Sequence, residues 1–536
     1  MSKAKSKQKP ARPKVTVDVA KLDGLIDKAE SGPLQKEECS EIKSAIHHLA
    51  NELARQQNKR KGYRATEKAK ELLREFGEKL GDAAKNQEES DPDTVNESEE
   101  PKKIGGGSGR MGAADYVGAT NIPVDLNEDF KPKQPCAECG RGRLYSLDPS
   151  PLIRITGLPP IQARIFWLER TRCNLCGDIH TADAPEGIGE DRYDSSVAAM
   201  NVLLKYGCGM PFHRIQTLQN QLGVPLPAST QFGLINDAAK QLAPVHKELV
   251  FQAAQGQVVT FDDTVAQILD DVERPEEQGE ERTGIKTTGL VAELDDKKIA
   301  AFITGPRYAG ENVSEFLKQR LEGLEPMVGM ADASSQNNPK VPPGVDLLMS
   351  ACIVHGRRQF VDVFSNFPQE CWHVITELGK IYHCDKQCRD QGMDKEARLL
   401  HHQRESGPVM EGLKVWMQEQ EKSVEPNSGL GTAIKYFLKR WDKLTLFLRH
   451  PGSPLDSTIV ERALKKAILN RKNSFFFKTQ HGAEVADLFM TLIHTCELNQ
   501  VNPFDYILQL LRHSSELTAS PASWMPWNYT RQLRAP

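Results

Sequence analysis

At 536 residues the chain is too long for one ordinary hydrophobic core, and 39% hydrophobic with 26% charged residues is the composition of a water-soluble multidomain protein. No apolar run reaches the roughly 18 residues a membrane-spanning helix needs, and the basic start MSKAKSKQKPARPK lacks the apolar stretch of a secretory signal. The expected setting is a reducing cytoplasm, where 11 cysteines serve as thiols or metal ligands, while a net charge of −4 neither favours nor excludes a nucleic-acid partner.

Residues 1–17 form a basic arm with Lys3, Lys5, Lys7, Lys9, Arg12 and Lys14, suited either to touching DNA phosphates or to keeping the chain soluble. Residues 18–85 read as helical. Ile42, Ile46, Leu49 and Leu53 follow helical spacing too briefly to choose between a hairpin packed on itself and an intermolecular zipper. An acidic, Ser- and Asp-rich stretch followed by Gly105-Gly106-Gly107-Ser108-Gly109 makes residues 86–112 a flexible linker. No internal repeats occur.

Residues 113–185 carry two C-x-x-C knuckles, Cys136-Ala-Glu-Cys139 and Cys173-Asn-Leu-Cys176, each followed by a glycine, Gly140 and Gly177. Four thiolates so spaced suit one tetrahedral, closed and structural Zn2+, and the glycines let the backbone turn tightly beneath the sulfurs. A redox pair would not need the second knuckle. The segments Ile153-Arg154-Ile155 and Ala163-Arg164-Ile165-Phe166-Trp167 would supply the strands of a zinc ribbon able to present Arg141, Arg143, Arg170 and Arg172 to DNA. Farther on, Cys384 and Cys388, with His383 nearby, read as ordinary helix packing rather than as a second metal site.

Residues 186–255 form a helix-turn-helix-like unit. A helical pattern from Ser195 breaks at Gly207-Cys208-Gly209-Met210-Pro211, resumes through His213, Arg214 and Leu218, and starts again near Ser229. It can lay a helix on DNA or scaffold the following core equally well.

In residues 256–365 the β-prone run from Gln257 ends on Asp262 and Asp263, and a hairpin of Thr287 to Leu294 and Lys298 to Thr304 turns at Asp295-Asp296-Lys297. A helix over Asn312 to Leu324, a strand from Pro326 ending on Asp332, and another from Leu347 to Val354 closing on His355, Arg357 and Arg358 complete the set. Strand, strand, strand, helix, strand with an acid ending the first and fourth strands is the order of a ribonuclease-H-like α/β core. Its third carboxylate belongs on a later helix. Residues 366–452 read as an all-helical insertion, and residues 453–536 as the rest of the core and a C-terminal tail. There Ser453 to Thr458 is a turn rich in capping residues, and Glu461 stands in the first turn of the helix that follows. Three carboxylates suit a pair of Mg2+ (or Mn2+) ions that activate a nucleophile and neutralise a leaving oxygen. Behind Glu461, Arg462, Lys465 and Lys466 share a face that Arg471 and Lys472 extend along DNA.

Together these segments resemble the insertion sequence 66 transposases, in which an N-terminal helical region, a zinc ribbon, a helical middle and a DDE core occur in this order. The resemblance runs over nearly all of residues 100–530. It is carried by Gly109-Arg-Met-Gly-Ala, the two knuckles, Phe261-Asp262-Asp263-Thr264, Met330-Ala-Asp332-Ala, Cys352-Ile-Val-His355-Gly-Arg357-Arg358, Glu461-Arg462-Ala463, Arg471-Lys472-Asn473, Cys496-Glu-Leu-Asn499 and Asn502-Pro503.

It implies that Asp262, Asp332 and Glu461 are catalytic, with Asp263 as the fallback for the first and His355, Arg357 and Arg358 near the centre. It also implies double-stranded DNA partners (terminal inverted repeats and target), a homo-oligomer on DNA, small accessory proteins of the same element, and a place at the bacterial nucleoid. Ile353 stands where the family commonly has Trp, and Ser457 and Thr458 where it has an Asn pair. Two other functions fit parts of the pattern: an inactive zinc-ribbon DNA-binding protein, against which the complete acids argue, and a nuclease that cuts without joining, which a strand-transfer assay separates.

Overall fold

The computed structural model describes residues 160–172, 179–183, 185, 191–270, 276–277, 280–281 and 284–534, together with Lys28. The basic arm, the stripe of Ile42, Ile46, Leu49 and Leu53, the linker and the four knuckle cysteines Cys136, Cys139, Cys173 and Cys176 lie outside the described residues. Two short strands, β1 (Arg170–Arg172) and β2 (Ile179–Thr181), pair antiparallel on either side of Cys173 and Cys176 in sequence. The expected strand over Ala163 to Trp167 is absent. That run is irregular, with Ile165 74% and Trp167 90% exposed, because among the described residues no partner strand meets it.

The helical unit comprises α1 (Ser195–Val202), capped by Asp194, a π-helical turn to Gly207, α2 (Phe212–Gln221) and the long α3 (Ala228–Ala254). Its apolar faces do not stand apart. Val202, Ile235, Leu242 and Leu249 share one core with the central sheet and the C-terminal helices.

That sheet has five strands. The first three, β3 (Val258–Ala266), β4 (Ile285–Leu294) and β5 (Lys297–Gly305), form an antiparallel meander, to which β6 (Met327–Ala331) and β7 (Leu347–Ala351) are added parallel to β3, in the order β5-β4-β3-β6-β7. Every residue of β6 is buried, as expected of a strand covered on both faces. The helix between β5 and β6, α4 (Ala309–Leu317), starts three residues earlier and ends seven residues earlier than Asn312 to Leu324. Glu311 accepts the Tyr308 N–H at its start, and past its end the Arg320 guanidinium is spent on the carbonyls of Ala254, Gly256 and Glu325. Strand β7 also stops early. Cys352 caps α5 (Ile353–Val363), so His355, Arg357 and Arg358 lie on a helix, where the sequence had suggested the close of a strand.

Edge strand β5 would expose a row of backbone donors, and α10 (Gln480–Leu498), which follows α9 (Thr458–Ser474), covers them. Asp487 accepts from Thr304 N–H at 2.6 Å, Thr491 from Phe302 at 3.2 Å, Thr495 from Ala300 at 3.1 Å and Asn499, just past the helix, from Lys298 at 3.2 Å. Four residues of helix advance about 6 Å and two of strand about 6.7 Å, so an i, i+4 polar row can follow every second rung.

A second core is built mainly of helices among the described residues. It joins α5 to α6 (Pro368–Asp390), α7 (Lys395–Ser423) and α8 (Gly429–Lys439) through Phe360, Leu378, Met417 and Phe437, with Ala351 at the end of β7 among the residues packed there. No helix among the described residues is long and apolar enough to cross a membrane.

Replacing Thr491 by Val keeps the shape of the edge cover but leaves the buried Phe302 N–H without its acceptor. The expected cost is about 1–3 kcal/mol in chemical denaturation. An unchanged midpoint would show that the polar row does not hold the edge.

Candidate active site

Register sets the first two acids. Thr260 of β3 pairs with Met330 of β6 in parallel, and two residues beyond each lie Asp262 and Asp332. Neighbouring strands run about 4.8 Å apart, so the two carboxylates stand at one height on adjacent strands. Asp332 Oδ1 accepts the Ser334 N–H at 3.0 Å and the side-chain amide of the buried Asn337. Burial pushes the Asp262 carboxyl from 3.8 up to about 6; the charge of Asp332 adds to the rise, while the Asp263 N–H, 2.8 Å from Asp262 Oδ1, and His355 oppose it.

Glu461 arrives from the other side. Asp262 faces Gly289 across the β3–β4 ladder, and a Cβ on Gly289 would lie 2.8 Å from Leu464 Cδ2 and 3.5 Å from Val460 Cγ2. Glycine at that rung lets the first turn of α9 settle on the sheet beside Asp262. Glu461 Oε1 then lies 3.9 Å from His355 Nε2 and 3.5 Å from Ser457 Oγ. His355 Nδ1 is buried without a hydrogen-bond partner. His355 thus stands near both Glu461 and Asp262, and Asp332 stands beside Asp262, yet the three acids are not drawn tight: among the described residues, only Cys384, Cys388 and His401 place three ligand atoms all within 4.8 Å of one another.

The remaining expected residues divide. Asp263 points to the opposite face, where Oδ1 accepts the Thr288 hydroxyl at 2.6 Å, Oδ2 accepts the Ala309 N–H at 2.8 Å and Lys286 stands 3.8 Å away. Its carboxylate is occupied in holding β4 and the start of α4. Arg357 is buried beside Tyr382 in the helical core, and Arg358 is exposed. On α9, Arg462, Lys465 and Lys472 line the exposed side. Lys466 turns to α10, 2.7 Å from Glu497, and Arg471 donates to Val265 O and Thr264 Oγ1 at the end of β3. The five basic residues therefore do not form one face.

In the turn before α9, Asp456 accepts from Thr458 N–H at 3.0 Å, and Ser457, at the cap position, makes no side-chain cap. Ile353 is fully buried in the helical core, with its N–H on Leu455 O at 3.0 Å, which ties α5 to that turn.

Three further residues had no sequence signal strong enough to single them out. Asn337 orients Asp332. Phe475, 70% exposed at a φ of +67°, and Phe476, 45% exposed, stand at the end of α9 near Val265, which is 63% exposed. A left-handed backbone at a bulky residue is strained, and such strain is most often kept where function needs it.

The raised Asp262 carboxyl has a pH consequence. The folded state holds this proton more tightly than the unfolded chain, so the group favours folding below about pH 4, and that contribution is lost as pH rises through about 6. In metal-free buffer at pH 7, Asp262→Asn keeps the oxygen that accepts the Asp263 N–H and removes the charge. It is expected to raise stability by roughly 1–3 kcal/mol, with the gain fading toward pH 4 in thermal melts. A lower melting temperature at pH 7 would contradict this electrostatic reading.

The family model described as "Transposase IS66 family" matches residues 191–485, more than half of the chain. Among curated proteins of Sinorhizobium fredii (strain NBRC 101917 / NGR234), the chain is 32% identical to "Uncharacterized protein y4jD" over 34% of its own length and 36% of that protein's. It is 23% identical to "Uncharacterized protein y4hP" over 77% of each chain, and 25% identical to "Uncharacterized protein y4qI" over 61% of its own length and 60% of that protein's. With the match running from the helical unit through the sheet and the insertion to α10, the chain belongs to the transposase IS66 family.

Proposed function

We propose that this chain is a DNA transposase that cuts the ends of its element and joins them to target DNA, using Asp262, Asp332 and Glu461 on a ribonuclease-H-like core. The observation that supports the reading is that Asp262 and Asp332 stand side by side at the same register on β3 and β6, while His355 is near Asp262 and lies 3.9 Å from Glu461 of α9. Three strands in a meander with two parallel additions, in the order β5-β4-β3-β6-β7, support that core.

The donors fit hard divalent cations. All are carboxylate oxygens, and burial, with the charge of Asp332 adding to it, raises the Asp262 carboxyl. Mg2+ or Mn2+ held there would supply charge neutralisation at the attacking and leaving oxygens. The chain's own residues do the rest. Asn337 and Ser334 fix the Asp332 carboxylate through Oδ1, which leaves Oδ2 for a cation. His355 lies between Glu461 and Asp262, where it offers a proton or a hydrogen bond to a phosphate oxygen. Arg462, Lys465 and Lys472 on the open side of α9 offer phosphate contacts, and the rings of Phe475 and Phe476 offer faces on which unpaired bases can stack. A structural Zn2+ on Cys136, Cys139, Cys173 and Cys176, and assembly as a homo-oligomer on paired DNA ends, belong to the same proposal.

The direct test uses Asp262→Asn, Asp332→Asn and Glu461→Gln. Each keeps the side chain's shape and removes a charge that would hold the cation, so strand cleavage and joining should fall at least 100-fold, on the order expected from losing a principal transition-state contact, while DNA binding persists. Cleavage by Glu461→Gln at the normal rate would overturn the assignment. Cutting without joining by the unaltered chain would favour the nuclease reading.

The two lysines side by side on α9 give a sharper test of the DNA face. Lys465→Glu should weaken binding and lower the salt dependence of log K by about one unit of slope per lost phosphate contact. Lys466→Glu should instead unpair Glu497 and leave that slope unchanged. Equal effects on the slope would mean that both lysines reach DNA.

A further inference from the structure

In the helical insertion, α6 and α7 run as a hairpin whose short turn includes Gly392 at a φ of +61°. Near that turn Cys384 and Cys388, one helical turn apart, are 5% and 1% exposed. His401 comes across from α7, and the three offer ligand atoms that all lie within 4.8 Å of one another. The sequence-adjacent His383 takes no part; its Nε2 faces Gln387 at 3.1 Å on the exposed side.

We propose that Cys384, Cys388 and His401 bind a soft divalent cation, Zn2+ above all, as a clasp between the two long helices of the insertion. The binding set is distinct from the candidate catalytic acids and stands independently of their role. Two thiolates and an imidazole suit Zn2+ and exclude Mg2+, which takes oxygen. Zn–S bonds of 2.3 Å at a tetrahedral angle put two sulfurs about 3.8 Å apart. Small side-chain rotations from the present spacing are enough.

Ordinary packing accounts for two buried cysteines, but not for the histidine. His401 Nε2 is buried with no hydrogen-bond partner, a costly state for a polar atom. Its Nδ1 faces Arg404 at 3.4 Å; coordination through Nε2 puts the ring proton on Nδ1 and turns Arg404 away, which its 72% exposed side chain and its pairing with Glu405 allow.

Around these three the surroundings are already built as a support. His402 Nδ1 lies 3.7 Å from Cys384 Sγ and 2.9 Å from Ser406 Oγ, and its Nε2 is 3.2 Å from Asp385 Oδ1. Arg398 and Arg389 in turn hold Asp385. A histidine fixed by a carboxylate and directed at a ligand sulfur can orient that ligand, as hydrogen-bonding groups around a metal site do. The fourth position is left to water.

The test counts zinc per chain in the full-length protein by elemental mass spectrometry. Cys384→Ser with Cys388→Ser should remove one equivalent, and so should His401→Gln, whose partly exposed position tolerates the change. Cys136→Ser with Cys139→Ser should remove a separate equivalent, additively, if the ribbon also holds zinc. Replacing Zn2+ by Co2+ should give a thiolate-to-metal absorption band that loses its insertion component in the Cys384 and Cys388 variant. Circular dichroism confirms that the variants compared are folded. Zinc content equal in the wild type and in a folded His401→Gln chain would overturn the proposal and leave two buried thiols and a histidine as packing.

Discussion

Two like charges held side by side set the terms for the rest of this molecule. The parallel register of β3 and β6 fixes Asp262 and Asp332 at one height on adjacent strands, and burial together with the charge of Asp332 lifts the Asp262 carboxyl to about 6. Left to themselves, such groups would splay apart or neutralise. Here the backbone leaves little freedom, because β6 is buried along its whole length and Asn337 grips the Asp332 carboxylate. Stability given up at this point is what a binding cation would restore.

Two other contacts keep the arrangement from loosening. Across from Asp262, the absence of a side chain at Gly289 lets Leu464 and Val460 settle on the sheet, so the turn bearing Glu461 is set by packing rather than by charge attraction. Behind the sheet, the row of Asn499, Thr495, Thr491 and Asp487 satisfies the outer edge of β5. The helical unit adds a third fastening: Lys205, buried, donates to Asn470 and Ser474 of α9 at 2.8 Å each. Its helices share the main core, so of the two roles the sequence left open, scaffolding is the one these contacts support.

Much of the sheet was legible because its buried strands are apolar and β-prone: the runs leading into Asp262 and Asp332 gave both the strands and the places to look, although β3 does not end on Asp262 as expected but pairs with β4 as far as Ala266. What the sequence hid were relations between distant segments. Nothing local distinguishes Asp263 from Asp262, yet the side-chain alternation of a strand sends one toward α4 and the other toward β6 and α9. Lys465 and Lys466 read alike, but the helical step of about 100° turns the second onto Glu497. His383 seemed the natural neighbour of Cys384, whereas a helical hairpin brings His401 from 17 residues away. The early end of β7 was missed because the apolar run continues through Val354, and apolar residues serve a buried helix start as well as a strand.

The central claim is that Asp262, Asp332 and Glu461 hold the cations for phosphodiester chemistry. Anomalous diffraction from crystals of the chain bound to an element end and soaked with Mn2+ tests it most directly. The account predicts two peaks about 3.5–4 Å apart, ligated by Asp262 and Asp332 with Glu461 closing on one of them. Peaks elsewhere, or a Glu461 carboxylate that ligates neither ion with metal and DNA in place, would contradict it.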